Sequence, residues 1–165
     1  MKKLPLLFAS FIITLCSQSI MAQTHSDPKE THGTEKHIML NEGNLEWKAG
    51  PASLPPGAQM VMLEGDLTKP AAFTLRIKLP SKYKIGPHFH PAIEHVTVVK
   101  GNFYMGTGKD FNKTTATKIM KGGFATMPIG QVHYAFTEGK TIIQLHGVGP
   151  WGITYVNEAD DPRKK

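Results

Sequence analysis

The sequence from Leu45 to Val156 consists of short β-type runs separated by turn residues. Representative runs are "AFTLRIKLP", "EHVTVV" and "TIIQLHGVG", and Gly, Pro, Asn or Asp stand in most of the gaps. These runs have the length and composition of strands, and no stretch repeats its apolar residues at helical spacing. Because the region shows neither an internal repeat nor a linker, we predict one all-β domain, a sandwich or barrel, over residues 45–156.

Residues 1–22 have the layout of a secretory signal peptide. A basic start, "MKK", precedes the apolar run Leu4–Leu15, and the small and polar residues that follow allow cleavage after Ala22. The apolar run is too short for a membrane anchor and is interrupted by Pro5. We therefore expect a periplasmic or secreted protein without membrane contact after signal removal. Cys16, the single cysteine, would leave with the signal, which excludes thiol chemistry from the mature chain.

Two polar segments flank the predicted domain. Residues 23–44 lack apolar periodicity and are expected to form a disordered lead-in. Residues 157–165 are expected to form a polar C-terminal tail, with its last three basic residues solvated. Three histidines of the lead-in, His25, His32 and His37, either bind metal weakly or are simply exposed. The formal net charge is +6, but the basic residues are dispersed, without a basic helix or arginine cluster, so no nucleic-acid partner is expected.

The stretch "GPHFHPAIEHVTVVKG" gathers side chains that bind metals. His88 and His90 are two residues apart, so on an extended strand their imidazoles emerge on the same face. Pro91 favours a bend, and Glu94 then begins the next run. If that run returns beside the first, Glu94 faces the two histidines. Two imidazoles and one carboxylate are a typical transition-metal donor set.

A second stretch, "GGFATMPIGQVHYAFT", supplies a further candidate ligand. Its Pro-x-Gly turn would close a hairpin and place His133 at the start of a strand. Together the spacings resemble the two sequence motifs of the cupin superfamily: His88-x-His90-x3-Glu94-x6-Gly101 and Gly122-x5-Pro128-x-Gly130-x2-His133. The chain departs from those motifs at Lys82 and Thr137, where cupins usually have glycine and asparagine.

The resemblance implies a single-domain jelly-roll β-barrel of the cupin type with a metal ion inside it. Carried over by position, the ligands of one divalent transition-metal ion (Fe, Mn, Ni, Cu or Zn) are His88, His90, Glu94 and His133. Glu94 is alternatively a movable catalytic base. The resemblance also implies a small-molecule ligand or substrate and a homodimer.

Strand parity predicts which side chains share the pocket. Val96 and Val98 lie on the same strand face as Glu94, and Ala135 and Thr137 on the same face as His133. His95 directly follows Glu94 and is expected to face away from the metal, as a packing or outer-face residue.

Three further residues near the C-terminal end leave alternatives open. Gln144 and His146 share one face, and they either line the barrel mouth or face solvent. Trp151, in a turn of glycine and proline, either caps the barrel end or contacts a second subunit.

Three kinds of function fit this sequence. The first is a metal-dependent dioxygenase resembling the quercetinase-like cupins, the second a non-catalytic metal or small-ligand sensor, and the third an isomerase or lyase that uses the ion as a Lewis acid. Because one fold hosts all three, the choice depends on the site. The complete ligand set argues against a purely structural cupin that has lost its metal.

Overall fold

The computed structural model describes residues 37–165. The predicted signal peptide and residues 23–36 of the predicted lead-in lie outside the described residues. The strands are β1 Lys48–Ala49, β2 Gln59–Glu64, β3 Ala72–Leu79, β4 Lys84–Phe89, β5 Glu94–Lys100, β6 Asn102–Thr107, β7 Thr117–Met120, β8 Phe124–Met127, β9 His133–Phe136, β10 Thr141–Val148 and β11 Thr154–Tyr155. Short 3-10 turns cover Glu42–Asn44, Glu158–Asp160 and Pro162–Lys164.

The strands form two antiparallel sheets, which confirms the all-β jelly-roll prediction. One sheet has the order β1-β2-β3-β10-β5-β8 and the other the order β11-β4-β9-β6-β7. Within the described residues, no helix is long and apolar enough to cross a membrane.

Alternation of side chains along the strands builds one core from both sheets. In β3 every second residue is buried, whereas the residues between them, such as Arg76 and Lys78, are half-buried on the outer face. Phe73 is 1% exposed at the start of this strand. The same alternation in β5 directs Glu94, Val96 and Val98 inward, so this strand carries a carboxylate into an otherwise apolar interior.

Two strand pairings that the sequence left conditional do not form. The run that begins at Glu94 does not return beside the histidine run, because β4 and β5 belong to different sheets. The Pro128–Gly130 turn does not close a hairpin either, since β8 pairs with β5 and β9 pairs with β4 and β6. Both segments instead cross from one sheet to the other, as connections in a jelly roll do.

Residues 51–57, here called the strap, pack against the core between β1 and β2. The Tyr155 hydroxyl donates to the carbonyl oxygen of Ser53 at 2.8 Å, and the Tyr83 hydroxyl donates to that of Pro55. Between these two anchors, the Leu54 side chain is buried. Burial raises the pKa of Tyr155 to about 12, so its hydroxyl keeps its proton at ordinary pH.

The polar tail beyond residue 157 is packed onto the domain and is not merely solvated. The Arg163 guanidinium donates to the carbonyl oxygen of Ile153 at 3.1 Å and to both carboxylate oxygens of Asp161. Asp161 is buried. Asp160 lies so close to Gly86 of β4 that a Cβ at Gly86 would come within 2.7 Å of its carboxyl carbon.

Candidate metal centre

The predicted ligands come from both sheets. His88 lies near the end of β4 and pairs in register with His133, the first residue of β9, whereas His90 follows β4 directly. Glu94, the first residue of β5, reaches the histidines from the opposite sheet. The strand-start position predicted for His133 is correct, although the turn before it does not form the expected hairpin.

The structure brings these four side chains together in the interior. The ligand atoms of His88, His90 and His133 lie within 4.8 Å of one another. Glu94 approaches two of them, with its carboxylate oxygens 3.1 Å from His133 Nε2 and 3.6 Å from His90 Nε2. All four residues are at most 7% exposed, so the cluster is shielded from bulk solvent.

Backbone carbonyl groups orient the three imidazoles. The Nδ1 atoms of His88, His90 and His133 lie 2.7, 2.7 and 2.9 Å from carbonyl oxygens. These acceptors belong to Gly86, Gly152 and Gln131. Because a carbonyl oxygen only accepts, each Nδ1 carries a proton and donates it, which leaves Nε2 to face the cluster. Metal-binding histidines are typically held in this way.

Burial keeps two of the rings neutral. It lowers the pKa of His88 to about 3, with help from the neighbouring charges of His133 and His90. Burial also lowers the pKa of His90, more than the nearby Glu94 raises it. For Glu94, burial raises the pKa, but the contact with His133 and the nearby histidine charges outweigh it, so the pKa lies below its usual range. At neutral pH the imidazoles of His88 and His90 are thus neutral and the Glu94 carboxylate is ionised.

Three of the potential metal-binding atoms in this cluster have no hydrogen-bond partner. His90 Nε2, His133 Nε2 and Glu94 Oε2 are buried without a hydrogen bond. His133 Nε2 lies 3.1 Å from a Glu94 carboxylate oxygen, but with the ring proton on Nδ1 both atoms are acceptors, so no hydrogen bond joins them. Unpaired buried polar atoms are costly, and a cation among them would satisfy all at once. Imidazole nitrogen with carboxylate oxygen suits a first-row transition metal, so the residues fit the ion that the motifs imply.

The four residues of the cluster line a cavity of about 30 Å³. This volume holds about one water molecule. Apart from the four polar residues, the lining is apolar: Pro51, Leu54, Met60, Leu67, Leu75, Ile77, Leu79, Ile85, Phe103, Met105, Ala135, Ile143, Leu145, Trp151 and Ile153.

Of the six residues predicted to share the pocket, Ala135 lines this cavity. Val96 and Val98 point inward as predicted, but they are fully buried in the core and do not line it. Thr137 does not line it either, because its hydroxyl donates to the Pro80 carbonyl at 2.6 Å and accepts from the Tyr83 amide at 3.1 Å. Strand parity therefore predicted the inward direction of these side chains correctly. The cavity, however, does not extend as far along the strands as we expected.

Gln144 and His146 lie on the outer face of β10, so their alternative as pocket residues is wrong. The Gln144 side chain accepts a hydrogen bond from Arg76 Nε at 3.0 Å. His146 stacks on His95, with ring centroids 4.9 Å apart and planes inclined by 10°. His95 itself faces away from the cluster, as expected from its position after Glu94.

Trp151 contacts the site more closely than its sequence position suggested. Its ring stacks on His90, with centroids 4.3 Å apart and planes inclined by 20°. The ring also lines the cavity. The sequence did not predict the contact between Trp151 and the cluster, because no local spacing connects this residue to the histidine motif. The turn of glycine and proline around Trp151 was the one feature that drew attention to it.

The metal-free protein is expected to lose stability as the pH falls from about 6.5 towards about 3. In this window unfolded chains protonate His88, whereas the buried ring resists protonation, so the unfolded state binds more protons and the free energy of unfolding falls. The loss should be on the order of a few kcal/mol. Urea unfolding in the presence of a chelator at pH 7, 5 and 4 measures it. His88→Gln should flatten the profile, and an equally steep profile would contradict the assignment.

Comparison with known proteins places the chain among jelly-roll structures. A family model described as "Domain of unknown function (DUF4437)" matches residues 56–162. No curated protein matches the chain. The polyketide cyclase RemF from Streptomyces resistomycificus is similar with a TM-score of 0.61 and 12% identity, covering 78% of this chain and 92% of its own.

Two further solved structures are similar to this chain, with slightly lower TM-scores. A putative acetylacetone dioxygenase from Methylibium petroleiphilum has a TM-score of 0.58 and 15% identity, covering 78% of this chain and 86% of its own. An RmlC-like cupin from Shewanella frigidimarina has a TM-score of 0.54 and 14% identity, covering 69% of this chain and 91% of its own. At these identities the likeness establishes a shared fold.

Proposed function

The chain belongs to the DUF4437 family and has the cupin fold, and we propose that it is a metal-dependent dioxygenase acting on a small organic substrate. One divalent transition-metal ion would be held by His88, His90, Glu94 and His133. The observation that carries the proposal is the convergence of unpaired imidazole and carboxylate atoms in a buried apolar cavity. The likeness to a putative acetylacetone dioxygenase supports oxygen chemistry.

Each part of the site has a role in such a reaction. The ion would supply Lewis acidity and, if it is Fe, Mn, Ni or Cu, electron transfer to O2. The three histidines hold their Nε2 atoms in fixed positions through their Nδ1–carbonyl bonds. Glu94, whose pKa lies below its usual range, would act as a movable base and accept a proton from an acidic carbon or hydroxyl of the substrate. The apolar lining excludes water from the reacting groups.

We expect O2 uptake when the metal-loaded protein meets an enolizable or catecholic compound, such as a β-diketone or a catechol. An oxygen electrode would compare the Fe, Mn, Ni, Cu and Zn forms, with Zn as an internal blank because it has no redox chemistry. Glu94→Gln preserves the size of the side chain but removes the base, so uptake should fall by about 10²–10⁴-fold in forms that still bind metal.

The alternatives give different results in the same screen. If no form consumes O2 but a compound still perturbs the spectrum of the bound metal, the protein is a binding module. If the Zn form converts a compound without O2, the protein is a Lewis-acid isomerase or lyase. Either result would overturn the dioxygenase proposal.

One observation favours the binding module as a second candidate. The cavity of about 30 Å³ holds about one water molecule beside the cluster. An organic substrate enters only if the surrounding side chains or the strap move. A metal-binding module without a substrate needs no such movement.

Export and dimer formation are further parts of the proposal. The signal-like sequence of residues 1–22 supports export to the periplasm or the medium. The intact mass of the protein recovered from its native host should lack these residues, and a mass that includes them would refute cleavage. Sedimentation velocity would show whether the protein is the homodimer that the cupin resemblance implies.

A further inference from the structure

Trp151 is fixed against the proposed metal site from two directions. Its indole ring stacks on His90 at 4.3 Å, and Phe73 packs near it with ring centroids 6.0 Å apart. Its backbone amide donates to the Leu67 carbonyl at 2.8 Å. The next residue, Gly152, accepts the hydrogen bond from His90 Nδ1 at 2.7 Å. The position of the indole is therefore coupled to the orientation of His90.

The indole nitrogen of Trp151 is buried and has no hydrogen-bond partner. An indole nitrogen can only donate, so it requires an acceptor. An unpaired buried donor is costly, and such donors in native proteins call for a specific explanation. Since the ring lines the cavity that holds the histidine cluster, an acceptor in the cavity would explain the missing partner.

The charges and the lining of the cavity define that acceptor. A divalent ion, the carboxylate of Glu94 and three histidines that have to be neutral to coordinate it sum to one positive charge (2 − 1), which a monoanionic ligand would neutralise. Apart from the four proposed ligands and the Trp151 N–H, the lining side chains are apolar. A matching ligand is thus a very small organic molecule whose negative charge lies on oxygen, as in a carboxylate or an enolate, and its entry requires the movement of side chains or strap described above.

We propose that the Trp151 N–H selects oxyanion ligands at this site by donating a hydrogen bond to the oxyanion. The inference rests on the proposed function in one respect, because the ligand has to lie beside a bound metal. It adds a specificity-determining residue that belongs to neither histidine motif.

Nuclear magnetic resonance can observe this hydrogen bond directly. The chain has two tryptophans, and Trp47 lies on the outside, under the Lys78 ammonium group at 3.9 Å. In ¹⁵N-labelled Trp47→Phe protein the remaining indole signal belongs to Trp151. When the Zn form is titrated with acetate or acetylacetone, the Trp151 indole proton should move downfield and exchange more slowly with water. Ligand binding in calorimetry without any movement of this signal would overturn the proposal.

A matched pair of variants distinguishes the effect of the Trp151 N–H group from that of its aromatic ring. Trp151→Phe keeps an aromatic ring against His90 but lacks the N–H, so acetate should bind the Zn form about 5–10-fold more weakly. Its affinity for Zn should fall by less than its affinity for acetate, because the phenyl ring still packs against His90 and no metal-binding atom is lost. Trp47→Phe should change neither affinity.

The outcomes distinguish this inference from the proposed function. Unchanged acetate affinity in Trp151→Phe would overturn the donor role and leave the metal site intact. A loss of Zn affinity as large as the loss of acetate affinity would show that the ring acts by supporting His90, which also overturns the donor role. Failure of the wild-type protein to bind any divalent metal would overturn the proposed function and this inference together.

Discussion

Replacing His133 with alanine is expected to reduce the affinity of the protein for a divalent first-row metal by more than about a hundredfold. Loss of a residue that merely supports a ligand typically costs about 10–100-fold, and His133 is proposed to bind the ion itself. The variant also leaves Glu94 without its nearest neighbour in the cluster, at 3.1 Å. Calorimetric titration with Zn and elemental analysis after reloading measure the change.

The control for this variant is His95→Ala. His95 is also a strand histidine, but it is half-buried and stacks on His146 on the outer face, away from the cluster. Its loss should leave metal affinity within about twofold. Circular dichroism should show the β-sheet spectrum in both variants. Unfolding of His133→Ala would indicate a structural histidine, and normal metal affinity in a folded variant would refute ligation.

Replacing Phe73 with alanine is expected to lower the free energy of unfolding by about 3–5 kcal/mol. The side chain is 1% exposed in the common core, and its ring lies 6.0 Å from that of Trp151. A Cβ at Gly147 would lie 3.3 Å from this ring, so the backbone packs directly against it. Removing the ring therefore leaves a cavity that rigid strands cannot close. Urea unfolding of the metal-free protein measures the loss.

Phe124→Ala is the matched control, since it removes the same side chain from a position that is 56% exposed. Its effect should lie within about 0.5 kcal/mol of zero. Equal destabilisation by both variants would contradict the assignment of Phe73 to the core. The Trp151 indole signal should also broaden or shift in Phe73→Ala, because the support behind the ring is lost.

Local sequence patterns were sufficient to predict the class of the fold and the four side chains that meet in the cluster. Alternation along β5 depends only on strand geometry, so it placed Glu94 inward and His95 outward. The His-x-His spacing likewise brought His88 and His90 to the same cluster, even though His90 follows the end of β4. These features depend on neighbours in the chain.

The pairing of strands and the extent of the pocket depend on distant segments, which local patterns do not specify. Gly86 and Pro87 are unusual within a strand, and they fall where the register between β4 and β9 shifts. Nothing near Glu94 indicates that β5 joins the opposite sheet. The sequence showed that Gln144 and His146 lie on the same face of their strand, but not whether that face points inward or outward. The direction is set by the pairing of β10 with β3 and β5.

The strap affects how fast a metal ion could leave or enter the cavity. Pro51 and Leu54 line the same cavity as the histidine cluster, and the hydroxyls of Tyr83 and Tyr155 hold the segment closed. If the strap is the route of access, an external chelator would reach an ion in this cavity when the segment opens locally. Metal removal would then follow the frequency of strap opening and become independent of chelator concentration, so the ion first acquired can persist long after a tighter-binding competitor arrives.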